Sequence, residues 1–287
     1  MTVTANFTIT SLERQHFQAV DDLLFLNQRV HTHMDWYEPL DWLGQFDAPV
    51  RLAWQGRRLV GLLAASSPVN SASWLRLAAL HDRISADQVF APLWCNLSQA
   101  LLERGCNQVH VLIARPWIKP HLRASGFHFV EDVVTLQRHG SYVPAAAADD
   151  IIIRLAQADD LMSIARVDDA AFNPPWQMTE SELWQAQRVA AISTVATHEQ
   201  QIVGYQISTL YSDDAHLARL AVAPDQQGRG IGALLVDDLL HRFSRRHIAT
   251  MTVNTQISNL RSQRLYRRFG FYRNGYDLPV WSAELSP

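Results

Sequence analysis

Apolar and polar positions along this chain fall into short runs with two different periods. In the second half, IIIRLA (151–156) is an apolar run of strand type, and residues 157–171 repeat at helical spacing with Asp159 and Asp160 near the positive end. FNPPWQ (172–177) breaks the pattern, because two prolines cannot continue a helix. A second helix is expected over 179–190. Strands follow near 192–197, 202–211 and 215–222, then a glycine-rich turn, a helix over 231–245, a strand over 248–254, a helix over 259–269 and a strand near 277–284. Strands interleaved with helices in this way imply an α/β fold with a mixed sheet covered by helices.

The first half carries a weaker copy of the same pattern. RLAWQGRRLVGLLAASS (51–67) and STVATHEQQIVGYQISTL (193–210) each read as strand, polar turn and strand, with Val-Gly at Val60-Gly61 and at Val203-Gly204. HLRASGF (121–127) matches LYRRFGF (265–271). Gly61 to Gly204 is a shift of 143 and Gly126 to Gly270 a shift of 144, so two distant matches share nearly one offset. That is the signature of an internal duplication. Between the copies, GSYVPAAAADD (140–150) has no apolar period and reads as a linker. The expected division is therefore residues 1–139, linker 140–150 and residues 151–287.

Composition narrows the partners. The chain has 287 residues, 48% hydrophobic and 18% charged, with a formal net charge of -3. There is no overall basic field, so nucleic acid is a poor candidate partner. MTVTANFTIT has no charged region followed by an apolar core, and no apolar run reaches membrane-spanning length, so the expected location is cytoplasmic, away from membranes. Cys95 and Cys106 do not have metal-ligand spacing and are expected as buried reduced thiols. His31 and His33 lack a third ligand, so no metal is expected.

The chemistry concentrates in RLAVAPDQQGRGIGALLVDDLL (219–240), where a strand passes through Gly228, Gly230 and Gly232 into a helix. A glycine turn at a helix N-terminus offers free backbone N–H groups and a favourable dipole to an anion, so a phosphate is the natural guest. A P-loop would need Gly-Lys-Ser/Thr, but Ile231 and Ala233 follow the last glycines. The dinucleotide fingerprint would need a carboxylate at the next strand end, where Asn254 stands.

Gln227-Gly228-Arg229-Gly230-Ile231-Gly232 fits Gln/Arg-x-x-Gly-x-Gly/Ala and resembles the acyl-CoA pyrophosphate loop of the GNAT (Gcn5-related N-acetyltransferase) superfamily. NLRSQRLYRRFGF (259–271) resembles that family's second signature, and AAFNPPW (170–176) resembles its ribosomal-protein alanine acetyltransferases. The resemblance covers about 151–285 and implies two GNAT-like acyl-CoA N-acyltransferase domains in tandem, with acetyl-CoA as co-substrate and an amine as acceptor. It implies that Leu220, Ala221 and Val222 offer strand backbone to the pantetheine arm. It also implies that Gln227, Gly228, Arg229, Gly230, Ile231, Gly232 and Ala233 hold the pyrophosphate, that Asn259 contacts the CoA arm, and that Tyr266 protonates the leaving thiolate.

The general base departs from the family pattern. A glutamate stands five residues before the Asn in the alanine acetyltransferases, and here that position is Asn254, which cannot take a proton. A second family base position falls on His216, and an imidazole with an unperturbed pKa near 6.5 suits deprotonating an ammonium. A solvated strand-end histidine is the competing reading, with Asp213 or Asp214 as other bases.

In the first half, WLRLAALHDRISADQVFAPLW (74–94) takes the place of the strand, loop and helix, yet LHDRISADQV has no glycine and Leu122 stands at the Tyr266 position. Residues 1–139 therefore read as a degenerate copy. The aromatic segment HTHMDWYEPLDWLGQF (31–46) is expected mainly as core or packing surface, with a wall of the acceptor site as the alternative. The expected activity is acetyl transfer from acetyl-CoA to a primary amine, either a small molecule or a peptide N-terminus. The alternatives are a mycothiol-synthase-like small-amine acetyltransferase and a CoA-binding sensor without turnover.

Overall fold

The computed structural model describes residues 7–45, 48–140, 150–212 and 214–286. Most of the expected linker (141–149) and the candidate base Asp213 lie outside the described residues. The chain forms two compact units, one built from residues up to Glu131 together with Leu278 onward, the other from Asp132–Asp277. This partition differs from the expected cut at 140–150. Each unit takes its last strand from the other half of the sequence, which local periodicity cannot reveal.

In the first unit, β1 (Thr8–Ser11), α1 (Phe17–Leu26), β2 (Arg29–Thr32), α2 (Pro39–Gln45), β3 (Val50–Gln55), β4 (Arg58–Ala65), β5 (Ala72–Leu80), α3 (Ala86–Leu102), β6 (Gln108–Leu112) and α4 (Lys119–Ala124) follow in order. β7 (His128–His139) then leads into the second unit. The first unit's sheet runs β1-β3-β4-β5-β6 and ends on the C-terminal strand of the chain, with β2 added beside β5. β4 and β5 read as nearly continuous apolar runs because both faces are covered. Leu63 and Ala78 pack with Phe90, Leu93 and Leu97 of α3, while the alternate residues Leu62 and Leu77 pack with Val20 and Leu23 of α1. Trp42 joins the second cluster, as the core reading of the aromatic segment expects. Cys106 is buried, but Cys95 is exposed on α3, contrary to expectation, because its helical position faces away from the sheet.

The second unit continues with β8 (Ile152–Leu155), α5 (Leu161–Ala171), α6 (Glu180–Val189), β9 (Ile192–His198), β10 (Gln201–Tyr211), β11 (Asp214–Val222), α7 (Ile231–Ser244), β12 (Thr250–Gln256), α8 (Leu260–Arg268) and β13 (Tyr272–Glu284). Its sheet runs β7-β12-β11-β10-β9-β8, antiparallel except for the β11–β12 pair. From Leu278, β13 belongs to the first unit, where Val280–Glu284 pairs with β6. No described helix is both long and apolar enough to cross a membrane.

The repeated glycines have the same physical cause in both units. A Cβ on Gly61 would lie 2.7 Å from Val89 and 2.8 Å from Leu93 of α3. A Cβ on Gly204 would lie 2.9 Å from the Ala221 carbonyl and 3.3 Å from both Ile231 and Leu235 of α7. Each glycine lets a helix settle onto its strand. Gly126 and Gly270 close α4 and α8 in the left-handed region, at φ +87° and +80°. Phe127 N–H donates to Leu122 O as Phe271 N–H donates to Tyr266 O, so the two helix ends share one hydrogen-bond pattern.

Candidate functional site

The strand β11 is paired unequally along its length. Beside β12 it is in register only from Asp214↔Thr250 to Leu217↔Val253. Beyond Leu217 the two strands diverge, and Leu220, Ala221 and Val222 pair with β10 alone among the described strands. One edge of that backbone is therefore free to take a strand-like ligand.

A bulge sits where the divergence begins. Arg219 opposes Ile207 and Leu217 opposes Ser208, so Ala218 is the extra residue. Ala215 and Leu217 pack into the cluster under α7 and α8, so His216 faces the other side of the sheet. The bulge puts Arg219 on that same side as His216, whereas Leu220 returns to the α7 side.

Past Val222 the chain turns through Pro224–Gln226 to the glycine loop. Gly228 and Gly230 have φ of +89° and +83°, a region L-residues with a Cβ rarely enter, and Gly230 is the N-cap of α7. The amides that open α7, Ile231 and Gly232, have no earlier helical carbonyl to bond and so face outward at the positive end of the dipole. Ala233 N–H is instead spent on Gly230 O at 2.9 Å. Gln227 braces the loop with its side chain, donating Nε2 to Val222 O at 3.0 Å while its Oε1 accepts from Arg261 of α8. The Arg229 guanidinium is held to one side by Asp150 and by Gln226 Oε1 at 2.5 Å. A Cβ on Gly232 would meet Leu265 of α8 at 3.3 Å, so this glycine also sets how closely α7 and α8 approach.

Of the remaining candidates, Asn259 caps α8, its Oδ1 accepting from Ser262 N–H at 3.1 Å. Tyr266 is 4% exposed, its ring 5.8 Å from that of Phe271, in the cluster on the α7 side. Burial pushes its phenol well above the ordinary value, which keeps the oxygen protonated. His216 is half-buried, with Nδ1 2.8 Å from Thr252 Oγ1 on β12. Asn254 is exposed, two residues beyond Thr252 on the same face. Asp214 is exposed at the start of β11.

Periodicity did not reveal the buried network on the His216 side. Asp168 of α5 is fully buried. Its carboxylate accepts from Tyr205 Oη, from Arg219 Nε at 2.8 Å and Nη2 at 2.7 Å, and from Met178 N–H at 3.0 Å. Arg219 Nη2 also donates to Trp176 O at 2.7 Å, and the guanidinium lies 3.6 Å over the Phe172 ring. The loop 172–178, which includes a cis Pro174-Pro175 bond, is thus fastened to β11 beside the bulge. The one sequence signal was Arg219 opening an otherwise apolar run.

Residues 161–271 match the sequence model of the Acetyltransferase (GNAT) family. The chain is 26% identical over 119 residues to the ribosomal protein bS18-alanine N-acetyltransferase of Salmonella typhimurium, covering 42% of this chain and 79% of that protein. It is 34% identical over 97 residues to the spore coat polysaccharide biosynthesis protein SpsD of Bacillus subtilis, covering 33% of this chain and only 34% of that relative's length. A solved tandem GNAT protein from the clavulanic acid biosynthesis pathway superposes with a TM-score of 0.67 at 16% identity, over 98% of this chain and 99% of that one. At that identity the likeness shows the fold.

Proposed function

We propose that the second unit, whose residues 161–271 match the GNAT acetyltransferase family model, transfers the acetyl group of acetyl-CoA to a primary amine by direct attack. The observation that carries this reading is the unpaired edge of Leu220–Val222 running straight into the glycine turn at the start of α7. A pantetheine arm would pair along that edge as an added strand, and its pyrophosphate would meet the amides of Ile231 and Gly232.

The two faces of the sheet divide the proton transfers. On one side His216 faces the acceptor, with Thr252 Oγ1 at Nδ1. When Nδ1–H donates to that oxygen, Nε2 carries the lone pair that takes the proton of the incoming ammonium. On the other side Tyr266, kept neutral by burial, donates its proton to the departing sulfur. The slit between β11 and β12 is the passage through which both reach one thioester. Backbone N–H groups at the Ala218 bulge support the oxyanion. The acceptor is a small amine or a peptide N-terminus, and loop 172–178 supplies part of its wall.

The test pairs calorimetry with turnover. Acetyl-CoA should bind the full chain and release free CoA thiol in the presence of at least one member of an amine panel that includes alanine-initiated peptides. Gly230→Asp places a carboxylate and a Cβ at the pyrophosphate position and should abolish binding. Undiminished binding by that variant would sink the assignment of the loop.

A further inference from the structure

The first unit preserves the slit and the bulge, yet the slit is already filled. β5 runs beside β6 only from Ala72↔Gln108 to Trp74↔His110, as β11 leaves β12 after Leu217. The register with β4 shifts between Ala64 and Ala65, the counterpart of the shift at Ile207. Beyond Trp74, however, the edge of β5 is not free. β2 pairs with it antiparallel, Arg29↔Leu80, Val30↔Ala79, His31↔Ala78 and Thr32↔Leu77. His33 N–H extends the ladder to Arg76 O at 2.9 Å. Gly61 opposes Leu80 as Gly204 opposes Val222, so Ala78–Leu80 stand where Leu220–Val222 stand in the second unit.

The turn after β5 is tied to the same segment. His81 N–H donates to Val60 O as Ala223 N–H donates to Val203 O, so Asp82–Ile84 correspond to Pro224–Gln226, the turn ahead of the glycine loop. Asp82 N–H donates to Asn27 Oδ1 at 3.0 Å, Arg83 N–H to His81 Nδ1 at 3.1 Å and Ile84 N–H to His81 O at 3.1 Å. The Ile84 bond repeats that of Gln226 N–H to Ala223 O, whereas the Asp82 and Arg83 amides are taken by side chains. The Asp82 carboxylate accepts from the N–H groups of Gln28 and Arg29 at 3.0 and 3.2 Å, and Arg29 Nη1 donates to Ile84 O at 2.8 Å. A carboxylate thus holds the start of β2, and a guanidinium holds the turn that leads into α3.

We propose that β2 is the resident occupant of the first unit's acyl-CoA slot, an internal strand in the place of the pantetheine arm, anchored by Arg29 on the turn that leads into α3. This rests on the reading of the second unit given above. The occupant is covalently attached, so a free acyl-CoA competes against an intramolecular partner at high effective concentration. The first unit accordingly binds no acyl-CoA. The two units diverged through the segment joining their first two helices. In the second unit that segment, 172–178, is fastened by Arg219 to Trp176 O, and the β11 edge stays open. In the first, Arg76 holds His33 O at 3.3 Å and the segment continues as β2 along the edge.

Amide hydrogen exchange on the full chain, with and without acetyl-CoA, tests this alongside calorimetric stoichiometry. Residues 29–32 and 77–80 should exchange slowly without ligand and should not change on its addition. Residues 220–222 and 228–232 should gain protection, with one acetyl-CoA bound per chain. Two equivalents per chain, or ligand-induced protection at 77–80, would overturn the proposal, as would fast exchange there without ligand. Asp82→Ala removes the acceptor for the Gln28 and Arg29 amides at the start of β2 and should speed exchange at 28–32 while leaving the single site at full affinity. If that exchange stays slow, the anchoring is wrong. No binding at all, with 29–32 and 77–80 still slow, would count against the transferase reading of the second unit while upholding the filled slot of the first.

Discussion

Replacing His31 by Leu should flatten the acid sensitivity of the first unit. His31 sits on β2 opposite Ala78, fully buried, and both ring nitrogens lack a hydrogen-bond partner. Burial first, and the charge of Arg115 second, lower its pKa from 6.5 to about 4. A folded-state pKa below the unfolded value means that the unfolded chain takes up the proton first. Stability from this group is complete above about pH 6.5 and is lost as the pH falls towards 4. At pH 5 the unfolded ring is almost fully protonated and the folded ring almost fully neutral. Applying the linkage relation to 6.5 and about 4 gives a loss of about 2 kcal/mol between pH 7 and pH 5. Leu has a similar bulk and does not titrate, and no hydrogen bond is given up. Urea unfolding of wild type and His31→Leu, followed by tryptophan fluorescence at both pH values, measures the difference. Whatever the variant's absolute stability, its gap to wild type should move by about 2 kcal/mol in the variant's favour on acidification. Parallel pH dependences would refute the reasoning, showing that the imidazole is protonated, or reached by water, in the folded protein.

Tyr266→Phe keeps the ring and its packing but removes the proton donor, so kcat should fall by roughly 10² to 10⁴ with acetyl-CoA affinity nearly unchanged; wild-type turnover would exclude the acid role. Gly204→Ala would push a methyl group to 2.9 Å from the Ala221 carbonyl, which cannot move without shifting β11, and should cost about 1–3 kcal/mol in urea unfolding. An unchanged midpoint would show that α7 does not rest on this strand as described. Arg219→Lys keeps the charge but loses the fork that grips Asp168 and Trp176 O together. It should raise KM for the acceptor several-fold more than it weakens acetyl-CoA binding, and equal effects on both would count against a role in placing loop 172–178.

The sequence alone determined what depends on local spacing and on glycine. The order of elements in the second half was legible from periodicity, with ends displaced by a few residues. β12 begins at Thr250 rather than 248 because α7 closes through a turn in which His247 takes a φ of 61°. The duplication was legible because two physical demands recur at one offset: a strand that cannot carry a Cβ under a helix, at Gly61 and Gly204, and a left-handed helix end, at Gly126 and Gly270. The glycine loop was legible because only backbone without side chains can take up positive φ there and present amides to an anion.

Pairing between residues far apart was decided only by the tertiary structure. β7 and β13 each complete the unit that the rest of their half does not form, since strand partners are chosen by edge availability and not by neighbourhood in sequence. The segment around His31 and His33 read as aromatic packing, and its backbone filling of the β5 edge carries no side-chain signature at all. Asp168, Tyr205 and Arg219 lie on three separate elements, and their charges become one network only when α5 is laid across β10 and β11. A period along the chain reports which face of an element is dry. Which elements share that face, and which edge stays open for a ligand, is a property of the assembled sheet.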